Sequence, residues 1–131
     1  MRILLDTQVW LWLQSTPGRL GTRARALVVD PENALLLSAA SSWEIAIKHA
    51  LGKLQLPAPP REYVPSRMQS SGTGALPITH THALQVGSLP SHHRDPFDRL
   101  LVAQAQVESL PILTADPQIG RYEVEVLAAE G

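Results

Sequence analysis

Four acidic residues that are far apart in the sequence each follow a short apolar segment: Asp6, Glu44, Asp98 and Asp116. The apolar segments are residues 3–5, 34–37, 77–78 and 111–114, and Asp98 follows the third of them at longer range. In an open parallel sheet, ligands bind beyond the carboxyl ends of the strands, so acids in these positions would meet in one cleft. Carboxylates that meet repel each other unless a hard cation neutralises them. The pattern therefore predicts a site for Mg²⁺ or Mn²⁺.

The first two acids also have ordinary structural interpretations. Asp6 could cap the first predicted helix, although a charge at the end of a buried strand costs several kcal/mol unless it is compensated. Glu44 fits a capping box with Ser41 and also an i,i+4 ion pair with Lys48. We assign Asp6 to the metal because capping does not require three more acids at the same edge. Glu44 follows the second strand and faces that edge, so we include it.

Prolines close to the other two acids favour caps and turns in these segments. Asp95 precedes Pro96 and is a natural N-cap, whereas Asp98 lies one turn further along and is better placed to face the strand ends. We assign Asp98 to the metal and keep Asp95 as a substitute. Asp116 precedes Pro117, where a turn is the ordinary interpretation, but in company with the other acids it is assigned to the same site.

The composition limits the chemistry that the chain can perform. Its 131 residues include no cysteine, which excludes a disulfide, a thiol nucleophile and a cysteine-based zinc site. The length predicts one domain over residues 1–131. No apolar run approaches the roughly 18 residues of a membrane span, and the first acid comes too early for a signal peptide, so we expect a soluble cytoplasmic protein. The net charge of −1 means that any contact with nucleic acid must be a local patch.

Short strands that alternate with helices must position the acids. The apolar segments are too short for buried helices and are separated by segments of helical periodicity, which is typical of βαβ units. The predicted strands cover residues 3–5, 34–38, 76–78, 112–114 and 124–127. The predicted helices, with their capping residues, cover residues 7–13, 19–29, 41–51, 61–70, 79–86 and 95–109. The sequence thus predicts an α/β fold with a central, mostly parallel sheet.

Four segments together resemble the PIN-domain ribonucleases, in particular the VapC-type toxins of bacterial toxin–antitoxin pairs. Ile3-Leu4-Leu5-Asp6-Thr7 is similar to the family's opening strand with its first acid. The segments similar to those that supply the other acids are residues 41–54, 95–105 and 113–116. On these segments the second, third and fourth acids fall on Glu44, Asp98 and Asp116. The order and spacing of the segments, which extend over nearly the whole chain, carry the resemblance.

The resemblance implies a fold and an activity. The fold is a three-layer α/β/α PIN-like fold, and the activity is endonucleolytic cleavage of RNA that depends on Mg²⁺, for which Mn²⁺ can substitute. Asp6, Asp98 and Asp116 would hold the ion, with Glu44 as a further ligand or as the base that orients the attacking water. The resemblance also implies a homodimer and a cognate antitoxin of the VapB type.

Residues beside the acids add detail to this hypothesis. Thr7 and Thr114 are expected to support the ligating carboxylates by hydrogen bonds. The chain departs from the family pattern at Gln8, where many relatives have histidine, and at Ala115, where a basic residue is common. Neither departure removes a proposed ligand, so we expect metal binding to be retained.

RNA must approach an acidic site, which requires basic residues around the rim. The candidates near the acids are Lys48, Lys53, Arg94 and Arg99. A second group on the predicted second helix comprises Arg19, Arg23 and Arg25. The alternative for each of these residues is a solvated surface charge.

Tryptophan and histidine residues give two further expectations. The first helix is apolar on all sides, so part of it belongs to the core, and an exposed indole at Trp10 or Trp12 would suit a contact with the antitoxin or a second copy. The remaining candidates are His80, His82, His92 and His93. These histidines lack the i,i+4 spacing of a helical zinc site and are expected in loops, where either member of the adjacent pair could touch substrate.

Two other classes of protein remain as alternatives. A phosphoacceptor signalling domain also combines an α/β sheet with a Mg²⁺-binding acidic pocket, but it needs paired acids near the first strand and a lysine after the last inner strand, which are not visible around Asp6 or Asp116. A catalytically silent PIN-like module would bind RNA or protein without cleavage. All four proposed ligands are present, which favours the enzyme.

Overall fold

A computed structural model describes residues 1–131. Five short strands form its single sheet. The strands are β1 (Arg2–Leu5), β2 (Ala34–Ser38), β3 (Gly74–Leu76), β4 (Ile112–Thr114) and β5 (Val126–Ala128). Their order across the sheet is β3-β2-β1-β4-β5, and every neighbouring pair is parallel. The predicted α/β fold is confirmed, and the sheet is parallel throughout.

Six α-helices connect the strands. They are α1 (Thr7–Ser15), α2 (Thr22–Val29), α3 (Ala39–Ala50), α4 (Pro60–Ser71), α5 (His80–Gln85) and α6 (Pro96–Glu108). Single 3₁₀ turns occur at Pro17–Arg19, Val86–Ser88 and Ile119–Arg121. None of the helices is both long enough and apolar enough to cross a membrane.

The starts of α2 and α3 differ from the prediction for local reasons. The predicted helix over residues 19–29 begins only at Thr22, because Pro17–Arg19 forms a separate turn that ends in extended backbone at Leu20. Helix α3 begins at Ala39, before the predicted start, because the Ser38 hydroxyl accepts a hydrogen bond from the Ala40 N–H at 3.0 Å and caps the helix. This earlier start moves Glu44 away from the first turn of α3.

Apolar clusters cover both faces of the sheet. Successive residues of a strand point to opposite faces, so Ile3 and Leu5 of β1 belong to one cluster and Leu4 to the other. Side chains from α1, α2, α3 and α4 complete the first cluster, and side chains from α6 dominate the second. Each fully buried leucine contributes roughly 1.5–3 kcal/mol to the free energy of unfolding. The three-layer α/β/α architecture is therefore confirmed.

The positions of the tryptophans contradict the prediction of an exposed indole on α1. Trp10 and Trp12 are both buried in the first cluster, and Trp10 Nε1 donates a hydrogen bond to Thr73 Oγ1 at 3.2 Å. The expectation of an exposed indole on α1 is wrong, because α1 is covered on more than one side. The exposed indole is instead that of Trp43 on α3, which is 55% exposed and contacts the ring of Phe97 edge-on, with 5.0 Å between the ring centroids.

Candidate active site

The four predicted acids line one cleft of about 470 Å³ at the carboxyl end of the sheet. Asp6 directly follows β1, and Asp116 follows β4, the strand that pairs in parallel with β1. Glu44 projects from α3 and Asp98 from the first turn of α6. Residues that are as much as 110 positions apart in the chain are thus brought to the same edge, as the strand-end rule predicts.

Asp6 is almost completely buried, with 7% of its surface exposed. Its Oδ2 accepts a hydrogen bond from Thr114 Oγ1 at 2.7 Å. Asp6 occupies the N-cap position of α1, but its side chain makes no capping hydrogen bond, so the capping interpretation is wrong. Burial raises the pKa of Asp6, the Thr114 hydrogen bond opposes this, and the nearby charge of Glu44 adds to the increase.

Glu44 is the most unusual of the four acids, because one of its oxygens has no partner. Its Oε2 accepts a hydrogen bond from Lys48 Nζ at 2.5 Å, which confirms the i,i+4 ion pair. Its Oε1 is buried without any hydrogen bond. The capping-box interpretation is wrong, because α3 is capped by Ser38 and not by Ser41. A buried acceptor left unsatisfied costs roughly 1–3 kcal/mol, and a charged one costs more.

Asp98 lies on the inner side of the first turn of α6, and its side chain is 14% exposed. Burial raises its pKa to about 7, helped by the charges of Asp6, Asp95 and Glu44 and opposed by His93. Asp95 caps α6, because its Oδ1 accepts hydrogen bonds from the N–H groups of Phe97 at 2.8 Å and of Asp98 itself at 3.3 Å. The predicted cap is therefore confirmed.

Asp116 combines the two interpretations that its sequence position allowed. Its Oδ1 accepts a hydrogen bond from the Gln118 N–H at 2.9 Å, which forms the expected turn. Its Oδ2 lies 2.9 Å from His93 Nε2, and the same nitrogen lies 3.1 Å from Asp98 Oδ2. Burial lowers the pKa of His93, but the hydrogen bond to Asp116 and the surrounding negative charges outweigh this effect and raise it.

The sequence predicted the surroundings of the histidines only in part. His93 contacts two of the predicted acids, whereas the sequence suggested only that it could touch substrate. The one signal in the sequence was its position two residues before Asp95. His80 and His82 both lie in α5, and His82 is buried, so the loop location expected for these two residues is wrong.

The two predicted supporting hydroxyls have different partners. Thr114 donates to Asp6, as predicted. Thr7 Oγ1 instead donates to Ser41 Oγ at 2.8 Å and so joins α1 to α3. The prediction that the Thr7 hydroxyl supports a carboxylate is therefore wrong, because this hydroxyl donates to a neighbouring helix.

Basic side chains divide into those at the cleft and those elsewhere. Lys48, Lys53 and Arg19 line the cleft, whereas Arg94 is exposed and does not. The prediction that Arg99 binds RNA is wrong. Its guanidinium donates to the carbonyl oxygens of Pro90 at 2.9 Å, Val86 at 3.2 Å and Leu89 at 3.5 Å, and to Tyr122 Oη at 3.3 Å. These bonds anchor the segment before α6 and leave the guanidinium unavailable to a phosphate.

A hard divalent cation fits this set of side chains. Carboxylate oxygens are the ligands that Mg²⁺ and Mn²⁺ prefer in proteins. The unpartnered Oε1 of Glu44 is a buried acceptor that a cation would satisfy. Burial, followed by the charges of neighbouring carboxylates, raises the pKa values of Asp6 and Asp98, and a bound cation would oppose both effects.

The chain is similar to known proteins in sequence and in structure. Ribonuclease VapC16 from Mycobacterium tuberculosis is 55% identical over 58 residues, which cover 44% of this chain and 41% of that protein. The chain therefore matches less than half the length of this relative. Two solved structures have a similar fold: VapBC2 from Rickettsia felis bound to a promoter DNA fragment, and FitAcB from Neisseria gonorrhoeae.

The structural similarity extends over almost the whole chain. The VapBC2 structure has a TM-score of 0.66 at 14% identity and covers 97% of this chain and 98% of that one. The FitAcB structure has a TM-score of 0.63 at 22% identity and covers 97% of both chains. At these identities the similarity establishes the fold alone. The sequence model of the family described as PIN domain matches residues 3–125, and the chain therefore belongs to the PIN domain family.

Proposed function

We propose that this chain is an endoribonuclease that depends on Mg²⁺, for which Mn²⁺ can substitute, and that it hydrolyses RNA phosphodiester bonds. The observation that carries the proposal is the buried, unpartnered carboxylate oxygen of Glu44 in a cleft that also contains three other acids. The relative named as a ribonuclease supports the choice of RNA as substrate.

The four acids have distinct roles in this proposal. Asp6, Asp98 and Asp116 hold the ion, and Glu44 is a further ligand or the base that orients the attacking water. When bound, the ion would lower the pKa of that water and neutralise charge on the scissile phosphate. The products would carry 5′ phosphate and 3′ hydroxyl ends, and no covalent intermediate is needed.

Neighbouring side chains orient the carboxylates of the acids and add positive charge to the cleft. The Thr114 hydroxyl orients the Asp6 carboxylate, because it donates a hydrogen bond to Oδ2 at 2.7 Å. Lys48 does the same for Glu44, since its ammonium group contacts Oε2 alone. Lys53 and Arg19 line the cleft and supply positive charge for the phosphates on either side of the cut.

The biological setting that we propose is a type II toxin–antitoxin pair. The chain would be the toxin, active in the cytoplasm as a homodimer and inhibited by a cognate antitoxin of the VapB type. Support comes from relatives: one is named VapC16, and several solved neighbours are VapBC complexes or a toxin–antitoxin complex. The test is co-expression with the product of the neighbouring short gene. We expect growth arrest by the chain alone, relief by the partner, and a stable complex by gel filtration.

Cleavage of RNA tests the catalytic assignment directly. We expect cleavage with Mg²⁺ or Mn²⁺, none in EDTA, and a loss of at least ~100-fold for Asp6→Asn, because each ligand contributes to binding and charge neutralisation. Glu62→Gln, which removes an exposed acid on α4, is the matched control and should cleave normally.

Two results would contradict the assignment. A folded Asp6→Asn variant that cleaves at the wild-type rate would exclude Asp6 from catalysis. Wild-type protein that binds RNA without cleaving it, with every divalent ion tried, would favour the silent PIN-like module.

A further inference from the structure

The backbone N–H and both ring nitrogens of His93 have polar partners. Its backbone N–H donates to Tyr122 Oη at 2.8 Å. Its Nδ1 accepts from the Asp95 N–H at 3.1 Å, and its Nε2 lies 2.9 Å from Asp116 Oδ2 and 3.1 Å from Asp98 Oδ2. The ring is therefore fixed in place between two acids that come from different elements of the fold.

These three side chains have the spacing of a metal site that includes a nitrogen ligand. Their nearest ligand atoms all lie within 4.8 Å of one another. A histidine ligand would change the chemistry of the site, because imidazole favours transition metals over Mg²⁺. Whether His93 is a ligand depends on which ring nitrogen carries the proton.

The hydrogen bond from Asp95 answers this question. A backbone N–H can donate only to a lone pair, so Nδ1 of His93 must be unprotonated. In the neutral ring the proton is then on Nε2, which is a donor toward Asp116 and Asp98. A metal ligand would need the lone pair on Nε2 and a proton on Nδ1, which would bring two hydrogens together at the Asp95 N–H.

We propose that His93 is a positioning residue, which holds the carboxylates of Asp98 and Asp116 together through its Nε2–H and remains outside the coordination sphere of the ion. The inference rests on the proposed metal-dependent function and adds a residue to it. Without this donor the two carboxylates would repel each other, and the cation would have to order them as it binds. Partners that orient ligating carboxylates in this way are typically worth 10–100-fold in metal affinity.

Metal binding by variants of His93 tests the proposal without reference to turnover. We expect His93→Ala to weaken Mn²⁺ binding by roughly 10–100-fold in calorimetry. His93→Gln, whose amide N–H can replace the Nε2 donor, should restore most of this loss. His80→Ala is the matched control, because His80 is exposed on α5 and does not line the cleft, and its affinity should equal that of the wild type.

Pulsed electron paramagnetic resonance of the Mn²⁺-loaded wild type separates a positioning residue from a ligand. We expect no directly coordinated imidazole nitrogen in the spectrum. A coordinated nitrogen signal that is present in the wild type and absent from His93→Gln would overturn the proposal. Wild-type affinity in a folded His93→Ala variant would also overturn it.

The design keeps this inference separate from the proposed function. If the wild type binds Mn²⁺ and cleaves RNA while His93→Ala binds Mn²⁺ equally well, the positioning role fails and the nuclease stands. If the wild type binds no divalent ion and does not cleave, both proposals fail. If His93→Ala does not fold, two other measurements still test the donor role of His93. A coordinated nitrogen in the wild-type spectrum would contradict that role. A large loss of Mn²⁺ affinity in His93→Gln would contradict it as well.

Discussion

Two groups of buried polar side chains in this fold differ in how completely their hydrogen-bonding groups are satisfied. The first group is Ser38, His82 and Gln104, all of which are buried. Ser38 Oγ donates to Gln104 Oε1 at 2.5 Å, and Gln104 Nε2 donates to the Pro77 carbonyl at 3.3 Å. His82 Nδ1 accepts from the Thr79 N–H at 3.0 Å. Every polar side-chain atom of this group has a partner.

The acidic cleft is the opposite case. Glu44 Oε1 has no partner, and the pKa of Asp98 is raised to about 7 by burial and by its acidic neighbours. The other buried atoms without a partner, Trp12 Nε1 and Gln14 Nε2, are neutral nitrogens, so Glu44 supplies the only carboxylate oxygen among them. A satisfied buried group stabilises the fold, whereas an unsatisfied group of like charges indicates a place where a ligand completes the structure.

Asp98→Asn should show the largest effects of any single substitution. We expect RNA cleavage to fall by at least ~100-fold, because a ligand and its charge are removed. In EDTA at pH 8, the same variant should be more stable than the wild type by roughly 2–4 kcal/mol, since it removes a buried charge whose burial and acidic neighbours raise the pKa of Asp98. Cleavage assays and urea denaturation measure the two effects.

The pH dependence of this gain fixes its cause. The folded chain holds the Asp98 proton up to about pH 7, whereas the unfolded chain releases it near the ordinary value of 3.8. Between these values the folded state binds more protons, so the Asp98 contribution to stability falls as pH rises and is constant above pH 7. The gain from Asp98→Asn should thus be smaller at pH 5 than at pH 8. An equal gain at both pH values would contradict the assigned cause.

Gln104→Leu should have the reverse effects. It leaves the Ser38 hydroxyl and the Pro77 carbonyl without their partner, so we expect a loss of roughly 2–4 kcal/mol in the free energy of unfolding. Mn²⁺ affinity of the folded variant should not change, because Gln104 does not line the cleft. Gln106→Leu is the control and should cost less, because Gln106 is only partly buried and its partners, Gln85 and Glu123, can turn to water. Loss of metal affinity with unchanged stability would show that this group belongs to the site.

Divalent ions should stabilise the cleft and leave the satisfied group unaffected. At a concentration about 100 times the dissociation constant, an ion that binds only the folded state adds about 2.7 kcal/mol. Thermal denaturation should therefore shift upward with Mn²⁺ in the wild type and in Gln104→Leu, and EDTA should reverse the shift. Asp6→Asn should lose most of it. An equal shift in Asp6→Asn would mean that the ion binds elsewhere.

The strand-end rule explains why the sequence could predict the fold and the acids. Apolar segments of three to five residues between helical segments define parallel strands, and an acid after each strand must lie at one edge. Boundaries were less certain, because the cap of α3 depends on whether Ser38 or Ser41 supplies the hydroxyl. Burial of Trp10 and Trp12 could not be predicted either, because it depends on the elements that cover α1.

Long-range hydrogen bonds explain most of what the sequence could not supply. His93 is 23 residues from Asp116, and Ser38 is 66 residues from Gln104, and neither pair has a spacing that marks it in the sequence. Arg99 lies beside the acids in the sequence, which suggested RNA binding, but its guanidinium is directed to backbone carbonyls of the preceding segment. Proximity in the chain was thus a good guide for groups on strand ends and a poor one for long side chains on helices.

Tyr122→Phe should produce the smallest effect, because Tyr122 acts on the acids through His93. The substitution removes the oxygen that accepts from the His93 N–H at 2.8 Å and from Arg99 Nη1 at 3.3 Å, while the buried ring remains. We expect a loss of about 1 kcal/mol in stability and a weakening of Mn²⁺ binding that is smaller than the effect of His93→Ala. Tyr63→Phe is the control, since the Tyr63 hydroxyl makes no hydrogen bond within the chain and its ring packs against the first apolar cluster. A weakening in Tyr122→Phe as large as in His93→Ala would show that the backbone of His93, and not its ring, holds the acids in place.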